Sequence, residues 1–319
     1  MINRALRSLI TVRRRLNSTI LTRLINYYFV GQNFAKQKSE LLSYFKIFPS
    51  METTTETILV PKSPRQQRKV GAGASANVGL LPEVETYLHL LVVLYLMNEK
   101  RYAEVSFFQI RLRMATLRHD EDCQATLINC LLRAYLLQNN YELASALIPK
   151  VNFPLSGSTN QWARYHYYVG KIKAKELQYA EAKQSLQLAL RKAPQHTAIG
   201  FKQSAQKLLV TVELLMGQIP DRSLFREGIY RKSLAPYLQL AQAVRVGDVE
   251  RFDSTLKKFS VQFENDETND LVVRLRQNVI KTAVRQICLA YSRISLADVQ
   301  KKLRLTQTQD AEYILAKVE

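Results

Sequence analysis

A chain of 319 residues has room for two domains or one elongated array and ample length for a core, which excludes a small disulfide-stapled scaffold. Ten glycines and nine prolines, roughly half the usual share of these turn-formers, are too few for a body of many short strands, so helix is expected. Forty-six Lys and Arg against 27 Asp and Glu, a net charge of +19, call for an acidic partner, charged tails, or surfaces covered in an assembly.

Residues 1–39 hold eight basic residues (Arg4, Arg7, Arg13, Arg14, Arg15, Arg23, Lys36, Lys38) and no acid before Glu40. With Leu6, Leu9, Ile10 and Leu16 able to share one helical face, this opening has the character of an organelle transit peptide. The competing reading is an amphipathic helix packed on a neighbour, with Leu21, Leu24, Ile25 and Tyr28 continuing the stripe, and it is preferred. A basic helical region therefore occupies 1–48. From 49 to 82 the periodicity fails across Pro49, Pro61, Pro64 and the GAGAS string at 71–75, which reads as a flexible linker. Its Lys62, Arg65, Arg68 and Lys69 form a charge run between turn-formers, more simply solvated than a nuclear address. The apolar stretch Leu88 to Met97 spans ten residues and contains His89, short of the ~18 needed to cross a bilayer.

Residues 83–265 hide a repeat. Tyr102, Tyr141 and Tyr179 lie 39 and 38 residues apart in the turns NEKRYAE, QNNYELA and KELQYAEA. Apolar residues precede each at helical spacing: Leu90, Val93, Leu94 and Met97; Leu131, Leu132, Tyr135 and Leu136; Tyr165, Tyr168, Val169 and Ile172. The unit is helix, turn, helix. In the third copy, Gly170, Ala182, Leu186, Ala189 and Pro194 fall at tetratricopeptide spacings. The small residues let two helices approach, and Pro194 stops the second because it lacks an N–H. The earlier copies place Val93 and Leu132 where the small residue belongs, so they are degenerate. The tyrosines are read as packing residues at helix crossings. Helices then run from Phe201 to Met216, break at GQIPDR (217–222), resume from Ser233 to Arg245, and turn at Gly247 into Val249 to Phe263.

Residues 266–319 read as a long helix and a truncated helix-turn-helix. The first, Leu271 to Tyr291, buries Val272, Leu275, Val279, Ala283, Ile287 and Ala290. Ser295 with Asp298 three residues later forms a capping box that starts a helix at Leu296 and runs to Leu303–Leu305. Thr306 with Gln309 makes a weaker cap before Ala311, Ile314, Leu315 and Val318. As a DNA reader the last helix is disfavoured, because Gln309, Asp310, Glu312 and Tyr313 would present carboxylates to phosphates.

No reacting constellation stands out. Cys123, Cys130 and Cys288 form no CxxC pair and point to packing in a reducing compartment. His89, His119, His166 and His196 are scattered without a metal-ligand spacing, and GAGASANVG (71–79) lacks the GK[ST] of a phosphate loop. No catalytic residue, cofactor or metal is expected.

A helical-repeat array ending in a winged helix is the arrangement of the PCI family, named for proteasome lid, signalosome and translation-initiation complexes. The strings LLPEVETYL (80–88), ATLRHDED (115–122), QWARYHYY (161–168), ALRKAPQHTAIGFKQ (189–203), LLMGQIPDR (214–222), VRLRQNVIKTAVR (273–285) and YSRISLADV (291–299) resemble the proteasome-lid members of that family across most of the chain. Even RRRLNS at 13–18 resembles their helical N-terminal region, which weighs against organelle import. The resemblance implies an all-α fold: a TPR-like right-handed helical-repeat array followed by a winged-helix (PCI) remnant lacking its wing. It further implies a non-catalytic structural subunit of the lid of the proteasome's regulatory particle, in cytoplasm and nucleus, supporting ubiquitin-dependent degradation. Its partners would be other lid PCI subunits, with no membrane, nucleic acid or small-molecule substrate. Edge-to-edge assembly through winged helices would place Arg293, Ser295, Leu296, Asp298 and Val299 at the interface. The alternative within the family binds nucleic acid in mRNA export or translation initiation, through Arg274, Arg276, Lys281 and Arg285. Family members carry further helices between the equivalents of Tyr102-Ala103-Glu104 and Phe107, and continue beyond Ala316-Lys317 into a wing and a terminal helix. A shortened form is therefore expected.

Overall fold

The computed structural model describes residues 15–29, 35–45, 82–99, 101, 105–154, 158–194, 197–303 and 312–316. The segment 1–14, nearly all of the 49–82 linker, Tyr102, His196 and the Thr306/Gln309 cap lie outside them. Every regular element among the described residues is helical, as an all-α fold requires. No helix among them is long and apolar enough to cross a membrane. The chain divides into two compact units, Met1–Gln109 and Ile110–Glu319.

In the first unit, α1 (Ser18–Tyr28) and α2 (Ala35–Ser43) accompany α3 (Pro82–Asn98). Helix α1 buries Leu21 and Ile25, and the stripe ends on Phe29, 1% exposed, at the C-cap. Tyr28, expected on that stripe, is 42% exposed: a step of four from Ile25 lands on Phe29, while Tyr28 falls beside it. Helix α3 is apolar all round and buries Leu88, Leu91, Val92, Val93 and Leu96, as a central helix must. Phe29 meets His89 edge-on at 6.1 Å between ring centroids, and Phe45 packs on Tyr95 at 5.4 Å. Arg101 donates from Nη1 to the Tyr44 carbonyl at 2.6 Å.

Helix α4 (Val105–Leu117) crosses the boundary, and in the second unit α5 (Glu121–Leu137) and α6 (Tyr141–Leu147) precede the hairpin of α7 (Thr159–Lys175) and α8 (Tyr179–Lys192). Then come α9 (Ile199–Leu215), a short α10 (Arg222–Arg226), α11 (Ala235–Val246), α12 (Val249–Asn265), α13 (Asn269–Ala290) and α14 (Leu296–Leu303), with residues 312–316 helical again. Helix α10 had no periodic signal because five residues are too few to show one. Asp120 caps α5 by accepting the Cys123 N–H at 3.3 Å, and Asp248 caps α12 by accepting the Glu250 and Arg251 N–H groups at 3.1 Å.

The α7–α8 seam is built on absence of bulk. A Cβ added at Gly170 would stand 2.8 Å from Leu186 Cγ and 3.3 Å from the Ala182 carbonyl oxygen. Ala182, Leu186 and Ala189 are fully buried, so nothing there can yield cheaply. Ala193 turns extended, with ψ 142°, as a residue before proline prefers, and Pro194 follows the end of α8. Hairpin turns are closed by residues in the left-handed region: His119, Asn139, Leu177 and Glu267 have φ of 53°, 58°, 70° and 55°. Gly247, φ 73°, is where α11 turns into α12; its Cβ position lies 2.7 Å from the Ala283 backbone of α13, so only glycine fits.

Candidate assembly surface

Two features of the second unit set the geometry of a surface that could hold another chain. The first is the junction between the repeat array and α13. Leu271, 1% exposed, inserts into the cluster of Ala174, Ala182, Leu186, Leu208 and Val212. The turn ahead of it, Asn265 to Asp270, carries three acids, and lysines from two array helices grip them. Lys171 pairs with Glu267, Lys175 with Asp270 at 2.5 Å, and Lys207 spans both oxygens of Asp266 at 2.7 and 2.8 Å. The Tyr237 hydroxyl donates to Asp266 Oδ2 at 3.1 Å and shares a 2.9 Å bond with the Thr268 hydroxyl. Burial, with the neighbouring Asp266 carboxylate, pushes the Tyr237 hydroxyl well above the tyrosine range despite the opposing Thr268 bond. Lys175, by hydrogen bond and charge, holds the Asp270 carboxyl below its ordinary value. Asn278, about two turns further along α13, donates to the Leu214 and Leu215 carbonyls at 3.0 and 2.7 Å and so satisfies the end of α9.

The second feature is the helix-turn-helix. Ala283, Val284 and Ile287 of α13 form a small core with Val299 and Leu303 of α14, flanked by Ile294, Ile314 and Leu315. The capping box has its own form here: the Ser295 hydroxyl donates to Asp298 Oδ2 at 2.7 Å while Ser295 Oγ accepts the Asp298 N–H at 3.2 Å. Arg293, Ser295, Leu296 and Asp298 are exposed, as an interface needs. Val299 is not: at 1% exposure it belongs to the interior, because its place on α14 faces α13, and it can only support the surface from below. Ala290, expected in the buried stripe, is exposed at the end of α13, beyond the reach of α14. Leu289, Tyr291 and Leu296 are large apolar residues left 88%, 44% and 45% exposed around this turn. Lys302 covers the Tyr291 ring at 3.9 Å and donates to its hydroxyl at 2.6 Å.

The repeat-packing residues divide. Tyr179 packs against the α7–α9 cluster, and Gly170 and Ala182 meet at the seam just described. Tyr141 is half-buried, its ring 5.7 Å from Lys175 Nζ, which links it to the acid clamp. Of the basic residues on α13, Arg276 faces Asp253 at 3.7 Å, and Arg274, Lys281 and Arg285 are exposed. His89 bonds the Glu85 carbonyl at 2.6 Å, His119 lies in a turn, and His166 packs against Trp162 at 4.1 Å between centroids with the rings tilted by 52°. Among the described residues no three His, Cys, Asp or Glu side chains stand close enough to hold a metal ion. Sequence reasoning missed the clamp, although its signal is present: NDETND (265–270) between two helices, and the lysines of KIKAK (171–175) one turn apart.

The family model described as PSMD3-like, N-terminal TPR repeats matches residues 1–106 and 103–241, and the PCI domain model matches 256–318. The probable 26S proteasome non-ATPase regulatory subunit 3 of Anopheles gambiae is 40% identical over 359 residues, covering 98% of this chain and 69% of that protein. The Caenorhabditis elegans protein named 26S proteasome non-ATPase regulatory subunit 3 is 40% identical over 365 residues, 99% of this chain and 71% of its own length. The Drosophila melanogaster relative reaches 52% over 212 residues, 66% of this chain and 43% of its own. The first two alignments are longer than the chain itself, so those relatives carry segments with no counterpart here. The two stretches of the repeat match overlap at 103–106. With N-terminal repeats, a PCI domain and such identity over nearly its whole length, this chain belongs to the family of 26S proteasome non-ATPase regulatory subunit 3.

Proposed function

We propose that this chain is a non-catalytic structural subunit of the lid of the proteasome regulatory particle, present in cytoplasm and nucleus and supporting ubiquitin-dependent protein degradation. Its neighbours are other PCI subunits. The observation that carries the reading is the pairing of a PCI-family helix-turn-helix with a rim of exposed apolar residues, Leu289, Tyr291 and Leu296, in a relative of a proteasomal regulatory subunit. Apolar groups left in water at one edge are stabilised when another chain covers them, by about 25 cal/mol per Å². Arg293, Ser295 and Asp298 supply a polar border beside them. The boundaries we assign are a basic helical region at 1–48, a linker at 49–82, repeats at 83–265 and the PCI module at 266–319.

The test is affinity purification of the tagged chain followed by mass spectrometry. Other lid subunits should be recovered, and recovery of RNA-processing factors alone would overturn the assignment. Leu296→Asp places a charge on the exposed rim without disturbing the Val299 and Leu303 core, so incorporation should fall roughly tenfold, the equivalent of ~1.4 kcal/mol. Unchanged incorporation would move the interface elsewhere.

A further inference from the structure

Around the helix-turn-helix rim the charge is of one sign. From Leu271 to Leu303 the chain holds seven Lys and Arg and a single acid, Asp298. That acid is turned to its own helix, accepting the Ser295 hydroxyl at 2.7 Å. Two of the cations are engaged, Arg276 opposite Asp253 at 3.7 Å and Lys302 over the Tyr291 ring. Lys281, Arg285, Arg293 and Lys301 are exposed, and among the described residues none of them stands in an ion pair. Lys281, Arg285 and Leu289 follow at steps of four on α13 and so share one face of it. Leu289 at its end is 88% exposed, and Arg293 lies in the turn between Tyr291 and Leu296. A cationic stripe therefore leads into an apolar patch.

We propose that the protein covering this rim meets it with an acidic surface: an apolar patch bordered by Asp and Glu, whose carboxylates face Lys281, Arg285 and Arg293. Such selection rests on the rim being the assembly interface proposed above. Opposite charge across an interface speeds encounter and rejects like-charged faces, while the apolar centre holds the complex once formed. Arginine suits this task because its planar fork grips a carboxylate through two N–H groups. A second copy of this chain would bring the same cations onto these in a two-fold contact, so self-pairing here is opposed. A nucleic acid would satisfy the cations but set phosphates and sugars against Leu289 and Leu296, leaving the apolar patch without an apolar cover.

The test titrates methyl-labelled full-length chain with two designed helical peptides about five turns long, carrying the same leucine stripe flanked by Glu in one and by Lys in the other. The Glu peptide should shift the Leu289 and Leu296 methyl resonances and bind about tenfold more tightly than the Lys peptide, a preference that shrinks as salt rises from about 50 to 300 mM. Arg285→Glu with Arg293→Glu, both at exposed positions, should reverse the preference. Should that pair fail to fold, the salt series on the unaltered chain decides. Equal binding of the two peptides, an unchanged preference in the folded double variant, stronger shifts of the same methyls by an oligothymidylate, or dimerisation through the rim in sedimentation would each overturn the proposal. The two readings of the rim also separate. Preference for the Glu peptide without recovery of lid subunits on purification would keep the acidic partner and remove the lid. Equal recovery of lid subunits by the unaltered chain and the double variant would keep the lid and remove the acidic partner.

Discussion

Gly170 shows how far one missing atom reaches. Its Cβ position is 2.8 Å from Leu186 Cγ in a seam with no exposed residue to move aside. Gly170→Ala should therefore lower the unfolding free energy by roughly 1–3 kcal/mol, measured by urea denaturation, even though alanine favours helix. Pairing it with Leu186→Ala should return part of that loss, because the second change opens the space the methyl needs; strictly additive costs would refute the contact. Leu177 makes the opposite case. It occupies a left-handed turn, φ 70°, where L-residues with a Cβ are strained, and its side chain is 56% exposed. Leu177→Gly should raise stability by about 1 kcal/mol. A loss on the same urea measurement would show that the exposed leucine packs better than its position implies.

Helix α13 is held to the array by apolar packing of Leu271, Val272, Leu275 and Val279, and beside that core stands a polar joint. Lys171, Lys175 and Lys207 come from α7 and α9, Asp266 and Glu267 from the turn before α13, and Asp270 from its first turn. The outer pairs are exposed on the acid side, at 52% and 71%, and contribute little alone. Lys207 and Asp266 are the enclosed pair, with side chains 19% and 21% exposed. Lys207→Met should cost roughly 2 kcal/mol, since Asp266 would keep only the Tyr237 hydroxyl. Hydrogen exchange should accelerate over Leu271 to Leu275 before it does in α8. Uniform acceleration across the second unit would mean the clamp is one bond among many and not the joint.

Across the whole molecule, pH probes burial. Tyr167 and Tyr237 have pKa values raised above 10.0, chiefly by burial, whereas an unfolded tyrosine titrates near that value. A raised folded pKa contributes stability that is fully present below the unfolded pKa and is lost as pH climbs past it, because the unfolded chain gives up protons the fold retains. Helical circular dichroism should hold to about pH 10 and then fall. Part of the tyrosinate absorbance of the 16 tyrosines should appear only with that fall. Complete tyrosine ionisation in a chain that is still helical would contradict this placement of Tyr167 and Tyr237.

Helices, the cap of α14 and the repeat were legible in the residues because they are encoded locally: apolar spacing near 3.6, Ser295 with Asp298, and the small pair Gly170 and Ala182 depend on neighbours in sequence or on a fixed motif. The resemblance of residues 291–299 to a PCI module was equally local. What the string could not show is which surfaces meet. Lys207 and Asp266 are 59 residues apart, Asn278 reaches back 64 residues to the Leu214 carbonyl, and Val299 turns inward only because α13 lies beneath it. Periodicity assigns a residue to a face of its own helix; only the packed chain decides what that face touches, since contact energies fall off over a few ångströms while sequence separation does not measure distance.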